Sequence, residues 1–527
     1  MARQRAARPL VKRLGRPRVA VLAPYLSDEY EWTVWRSVRQ AIEARGGSAV
    51  CIAGAARGDP APERSARGAL YELVAPGAFD GIVCVSSVVG HFVGVNATET
   101  WLSARGVPAV AIGHGERLPH VLVDAATGMN QLLHHLIVHH RHRRIAFISG
   151  PPTSPEADPR SAAYERTLQK HELTVDRRLM LEGDFTQASG ARAVVELFDR
   201  RQLRAGDVDA IVAANDDMAL GAIDELSRRR IAVPDQLAVV GFDDITHARA
   251  FHPSLTTVRQ PIERLGREAA EQLLAILDGH EIETRRVLET ELVLRRSCGC
   301  VPTDVPAPLE NPSELEDVTI PGRAQLGAKL EAALAGELYG TPGAFARALE
   351  PYLRHAAAGD AQRLERGRRF AEDLAARVRF AREDLVHERL NRLGLALHAR
   401  IFGPQALLST ALAELLPDLG LDECAVSEFV PSETQAPGDR TLKLAFGFDA
   451  TTLQPQMATF DARELAPLRF EHLNARSAVV LPLRSGAELL GVAVMPATDR
   501  DGTFYETLAE LFGSVLKVLD LRRRASR

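Results

Sequence analysis

The sequence predicts an α/β protein built on parallel sheets, and three features of its 527 residues carry that reading. Short apolar runs without alternation, such as 18–23 (RVAVLA) and 210–214 (AIVAA), suit strands covered on both faces. These runs alternate with amphipathic stretches, the rhythm of strand-helix-strand units with right-handed crossovers. Polar turns follow the strands, and the carboxyl ends of strands are where open α/β sheets take their ligands.

Taken in order, residues 1–17 form a basic arm without apolar periodicity, which suits a disordered segment. The first strand, 18–23, exits through PYLSDEYEW (24–32) into a helix with Val34, Val38 and Ile42 on one face. Strand 49–53, helix 63–74, strand 81–85, helix 98–105 and strand 108–113 continue the alternation. The loop SSVVGHFVG (86–94), like Tyr25–Glu29, therefore lies on the ligand side. VLVDAATG (121–128) leads into a helix, and RRIAFISGP (143–151) is the next strand. Arg160 opens a helix, and Gly183-Asp184-Phe185-Thr186 ends a short strand. After 210–214 the turn Asn215-Asp216-Asp217 caps a helix, because short Asn and Asp side chains accept its orphan amides. A further strand, 237–241, runs into Phe242-Asp243-Asp244. Helix 262–277, with Leu265, Ala269, Leu273 and Leu277 every four residues, precedes a strand pair ending in RRSCGC (295–300).

Three of these stretches, AANDDMALGA (213–222), VVGFDD (239–244) and SLTTVRQP (254–261), closely resemble the effector-binding core of the lactose-repressor/galactose-repressor (LacI/GalR) family. The resemblance runs from Arg18 to Cys300 and implies a two-lobed, type I periplasmic-binding-protein-like fold. It implies a cleft lined at Arg160, Phe185, Asn215, Asp243 and Gln260. Tyr25 and Asp124 join the set by their place after strands, Asp124 also reading as a helix cap. A small polar ligand, sugar-like, needs paired donors and acceptors beside an apolar plate. Arg160, Asn215 and Asp243 offer the polar groups and Phe185 the plate; the plainer readings are a cap for Asn215, core for Phe185 and a hinge residue for Gln260. Regulators of this family begin with a helix-turn-helix module, for which the stretch before Arg18 is too short, so direct operator binding is doubtful. A basic arm can still touch phosphates without reading bases. The ending RRSCGC resembles a branch in which signalling modules follow the binding domain.

Composition narrows the function classes. With 46% hydrophobic and 25% charged residues and a net charge of -5, nothing pulls the whole chain toward nucleic acid or membrane. Five cysteines make no even framework, which favours a reducing compartment and a cytoplasmic location. Cys298-Gly299-Cys300 lacks metal-ligand partners at usable spacing, and His134, His135, His139, His140 and His142 read as surface and capping residues, so no metal and no cofactor is expected. No export signal or membrane-spanning run is apparent. There is no GxxxxGK[ST], HExxH or GxSxG, and no enzyme is expected.

Residues 301–322, rich in Pro and acid, read as a linker. The span 323–402 reads as helical, and Leu364, Ala371, Val378 and Leu385 recur at seven, a seam suited either to an intramolecular bundle or to a homodimeric coiled coil. Residues 403–527 read as a smaller α+β domain: a helix near 407–420, strands 424–430 and 442–448, a hairpin over 478–495 turning at Ser485-Gly486, and a closing helix 504–521. Hairpin plus closing helix resembles a GAF-type sensory domain. The expected whole is a cytoplasmic regulator that relays ligand-driven closure to this module and a signalling partner. The alternatives are a LacI-family regulator reaching DNA through its arm or a partner and, last, a transport solute-binding protein.

Overall fold

The structure, a computed structural model, describes residues 16–152 and 154–300 and, toward the carboxyl end, chiefly 421–430, 441–449, 452–454, 459–465, 476–498 and 500–525. The linker, the heptad seam, nearly all of the basic arm and most of the helix expected near 407–420 lie outside the described residues.

Lobe 1 is a parallel sheet formed by β1 (Arg18–Ala23), β2 (Ser48–Ala53), β3 (Gly81–Cys84), β4 (Ala109–Ile112) and β5 (His120–Val123). Lobe 2 holds a second parallel sheet of β6 (Ile145–Ser149), β7 (Met180–Glu182), β8 (Ala210–Ala213) and β9 (Ala238–Val240), in the order β7-β6-β8-β9. Helices cover both sheets, so the strands carry apolar side chains on both faces, and β1, β3, β6 and β8 are buried almost throughout.

The chain passes between the lobes three times. It leaves lobe 1 after β5, returns through β10 (Thr257–Arg259) into helix Ile262–Leu277 and β11 (Arg285–Leu288), and leaves again through β12 (Glu291–Val293). The expected strand pair before RRSCGC is not a hairpin. β11 pairs with β5 in lobe 1, whereas β12 pairs antiparallel with β10 between the lobes, because the backbone crosses at this point. Helix Glu29–Ala44 packs on helix Ile262–Leu277, and Gly266 lets the two backbones approach closely over Val34 and Ser37.

The carboxyl-terminal part is an antiparallel array of β13 (Glu423–Phe429), β14 (Thr441–Asp449), β15 (Thr452–Gln454), β16 (Thr459–Asp461), β17 (Ala478–Ser485) and β18 (Glu488–Pro496). Both strands of the expected hairpin are present, and Gly486 takes a left-handed φ of 59° in its turn. The array was expected to stand apart from the ligand-binding unit. Instead β17 lies parallel to β2, with Ala478, Val479 and Val480 opposite Val50, Cys51 and Ile52, and one twelve-stranded sheet runs through both parts. Without β17, β2 would present an unpaired edge.

The closing helix Gly502–Ala525 seals this junction. Phe504, Tyr505, Leu508 and Phe512 are buried in the same core as Leu26 and Trp35. Gly502 sits against the backbone of Leu26, where a Cβ would collide with the carbonyl. Arg67, buried beneath the junction, donates from Nη2 to both oxygens of Glu506 at 2.7 and 2.9 Å and from Nε to the carbonyl of Gly54. A cavity of about 820 Å³ opens beside the seam, lined by residues such as Glu43, Gly47, Asp422 and Arg476.

Candidate functional site

The candidate site lies where the two lobes face each other, built from loops after β1, β6, β7, β8 and β9. Arg160 stands in the first turn of helix Ala157–Lys170 and is buried. Its Nη1 donates to the carbonyl of Ala214 at 2.6 Å, and its guanidinium stacks 4.2 Å from the Phe242 ring and 6.0 Å from the Phe185 ring. Its Nε has no hydrogen-bond partner among the described residues. Such a half-satisfied fork is equipped to take a ligand acceptor.

Asn215 serves both readings proposed for it. Its Oδ1 accepts from the amide of Met218 and caps helix Asp216–Arg228, while its Nδ2 donates to the carbonyl of Phe185. Phe185 is held with φ at 66° on a ring seat over Gly150, so the plate belongs to the turn after β7. Asp243 has φ 129° and Asp244 φ 64°, directly after β9. Positive φ at non-glycine residues costs energy and gathers at functional sites. Gln260 Nε2 donates to Asp243 Oδ1 at 2.5 Å, fixing the carboxyl across the end of β10.

The electrostatics of this pocket are set by burial. The Asp243 carboxyl is pushed well above its ordinary range by desolvation, against the pull of Arg160. Glu31 is likewise raised, first by burial and then by Asp28 beside it, and the Tyr30 phenol is raised by burial and by Glu156, Glu31 and Asp243. Asp244 behaves in the opposite sense. Burial opposes its ionisation, but Arg295, Arg249 and Arg259 surround it at 2.6–3.0 Å and hold it below the usual carboxylate range. Asp244 is thus a structural anchor under the candidate site.

Of the seven residues singled out from sequence, Arg160, Phe185, Asn215, Asp243 and Gln260 are brought together in lobe 2 and the crossing strand. Asp124 caps helix Ala125–His134, accepting from the amide and hydroxyl of Thr127. Tyr25 turns toward Arg67, whose guanidinium lies 5.0 Å from its ring, and its buried hydroxyl has no hydrogen-bond partner among the described residues. It therefore borders the junction with the closing helix. Sequence reasoning missed Tyr30, Glu31 and Glu156, although the first two follow the exit of β1 already placed on the ligand side. Glu29, in that same exit, accepts from the amide and hydroxyl of Thr246 in lobe 2 at 2.6–2.9 Å and bridges the lobes.

A second cluster lies elsewhere in lobe 2. His135 and His140 meet Cys298 and Cys300, their donor atoms all within 4.8 Å of one another. His135, expected at the surface, is buried.

Residues 133–298 match the family model described as a periplasmic binding protein-like domain. The chain is 40% identical over 202 residues to the HTH-type transcriptional regulator CelR of Thermobifida fusca, covering 37% of this chain and 58% of that protein. It is 36% identical to the HTH-type transcriptional regulator AscG of Escherichia coli K12 over 30% of this chain and 45% of that one. It thus spans about half the length of these two relatives. With the transcriptional repressor CytR of Escherichia coli K12 it shares 27% identity over 55% of this chain and 82% of the other. Among solved structures it is similar to a CelR–cellobiose complex, at 32% identity over 54% of this chain and 85% of that chain with a TM-score of 0.47. No helix among the described residues is long and apolar enough to cross a membrane. The relatives are named as regulators of transcription, and residues 133–298 of this chain match a periplasmic-binding-protein-like domain similar to theirs.

Proposed function

We propose that this chain is a sugar-responsive regulator of transcription, acting in the cytoplasm as a homodimer. The observation that carries the reading is the cleft set itself: a buried guanidinium with an open Nε, a facing raised carboxyl and an aromatic plate, on a domain whose relatives are LacI-family regulators. A ring with hydroxyls at its rim and C–H faces suits that combination. The ligand would fill the space between Arg160 and Asp243 and close the lobes around it, shifting a balance between open and closed states that it binds unequally. The doubt about DNA read from the short arm has no support from the relatives, all named as DNA-binding types, and operator binding belongs to the proposal.

A second element of the reading concerns the carboxyl-terminal module, which resembles a GAF-type sensor in its hairpin and closing helix. Its contact with Leu26 and Arg67, next to the exit of β1, supports a direct route by which cleft closure reaches it. The test is calorimetry with a panel of mono- and disaccharides and nucleosides, followed by selection of DNA fragments with and without the best ligand. Binding of a sugar that changes retention of a particular DNA sequence supports the proposal. Absence of any stabilising sugar, or retention indifferent to both sequence and ligand, overturns it.

A further inference from the structure

The helix that follows β5 does not end as an α-helix. After Ala125–His134 it continues as a π-turn over His135–His139, and the amide of His140 donates to the carbonyl of His135. In an α-helix residues five apart point to different sides; a π-turn, with its i to i+5 bonds, brings them onto one face. His135 and His140 are thereby paired, their Nε2 atoms 3.1 Å apart.

Facing them is the end of the third crossing, where Arg296–Cys298 forms a short helical turn closed by Gly299 at φ 95°. That left-handed glycine reverses the chain between the two cysteines, so both sulfurs meet the imidazoles. Cys300 Sγ lies 3.4 Å from His135 Nε2 and 3.3 Å from His140 Nε2, and Cys298 Sγ lies 3.8 Å from His135 Nε2. Tetrahedral zinc, with bonds of about 2.3 Å to sulfur and 2.0–2.1 Å to nitrogen, sets its ligand atoms about 3.3–3.8 Å apart. These four separations fall on or next to that range, and all the donor atoms lie within 4.8 Å of one another.

We infer that His135, His140, Cys298 and Cys300 form a closed structural zinc site that fastens the last segment of the ligand-binding unit to lobe 2. Two nitrogens and two sulfurs fill a tetrahedral shell, leaving no position for substrate. The surroundings support it. Thr256 Oγ1 lies 3.1 Å from Cys298 Sγ, a hydroxyl able to donate to a thiolate, and the His142 ring stacks on His140 at 5.5 Å. Cys51, Cys84 and Cys424 are buried away from the cluster and supply an internal control.

The experiment uses the full chain, purified without affinity metal and analysed for bound metals and free thiols. The expected result is about one zinc per chain, and in cobalt-exchanged protein the intense visible bands of a tetrahedral thiolate site. C300S and H140A should each lower retained zinc at least tenfold under chelator, while C424S leaves it unchanged. Circular dichroism of C300S guards against simple unfolding, and the cobalt spectrum of the wild-type chain is independent of it. The inference is overturned by protein that carries no zinc and takes up none with its thiols reduced, by a Cys298–Cys300 disulfide in the freshly isolated chain, or by zinc retained equally in C300S and H140A.

Discussion

Replacing Glu506 by Ala tests whether the closing helix is locked onto lobe 1. Glu506 receives two bonds from Arg67 Nη2 and one from the amide of Leu26 at 3.2 Å, and the two side chains are only 8% and 13% exposed. Removing one partner of a buried ion pair costs about 3–5 kcal/mol, because the other charge stays behind unpaired. Here Arg67 keeps Gly54 and the Tyr25 ring, which places the expected loss near the lower end, about 3 kcal/mol. The apolar contacts of Phe504, Tyr505, Leu508 and Phe512 remain, so the module stays docked but opens more often. Native-state hydrogen exchange should show this in the amides at 50–52 and 478–480, which lie in the parallel pairing of β2 and β17. About 3 kcal/mol corresponds to roughly a hundredfold faster exchange. The double variant Arg67→Met/Glu506→Leu, with neither charge present, should recover most of the protection. Exchange in Glu506→Ala within threefold of wild type would refute the reasoning, as would equal acceleration in the double variant.

Arg160→Ala should weaken sugar binding by about 2–5 kcal/mol in calorimetry, the cost of losing one partner of a buried charge-assisted contact, and Asp243→Asn, which exchanges a carboxyl for an amide at the same place, should weaken it too. Asp243→Asn retains an acceptor for Gln260, so unchanged melting with lost affinity would separate binding from folding. Glu29→Ala removes the bridge to Thr246 between the lobes, and small-angle scattering should record a larger radius of gyration without ligand; identical curves would show that the bridge does not hold the lobes. Asp216 is pushed up to about 7 by burial, against a bond from Thr257 and with Asp244 nearby. A carboxyl raised in the folded state keeps its proton there while the unfolded chain has lost it, so this group's contribution is present below about pH 4 and lost as pH rises through about 7. Relative to Asp216→Asn, the wild type should therefore lose stability across that window, and parallel melting curves would count against the assignment.

Local chemistry explains what was readable from sequence. Short continuous apolar runs bounded by polar turns suit strands covered on both faces, so the strand-helix alternation of lobe 1 and lobe 2 stood in the residue order. Asn215 and Asp124 cap the helices that follow them because the reach of a short side chain to an amide three residues on is a property of the neighbouring residues alone. The cleft set came from the resemblance to the LacI/GalR family, which implies Arg160, Phe185, Asn215, Asp243 and Gln260 as its lining; composition and periodicity alone would not have singled them out.

Tertiary structure decided the rest, wherever the partner lies far along the chain or the backbone departs from its regular period. Tyr25 sits at a strand end like the other candidates, yet Arg67 and the closing helix claim its surroundings. The pairing of β17 with β2 joins residues more than four hundred positions apart through backbone bonds, which any sequence of suitable apolar strands could make. His135 and His140 read as surface and capping residues because no ligand stands beside them in sequence, and Cys298 and Cys300 read as partnerless because their partners lie more than 150 residues earlier. A π-turn and a third passage of the chain between the lobes bring the four together, and neither is written in any local stretch of residues.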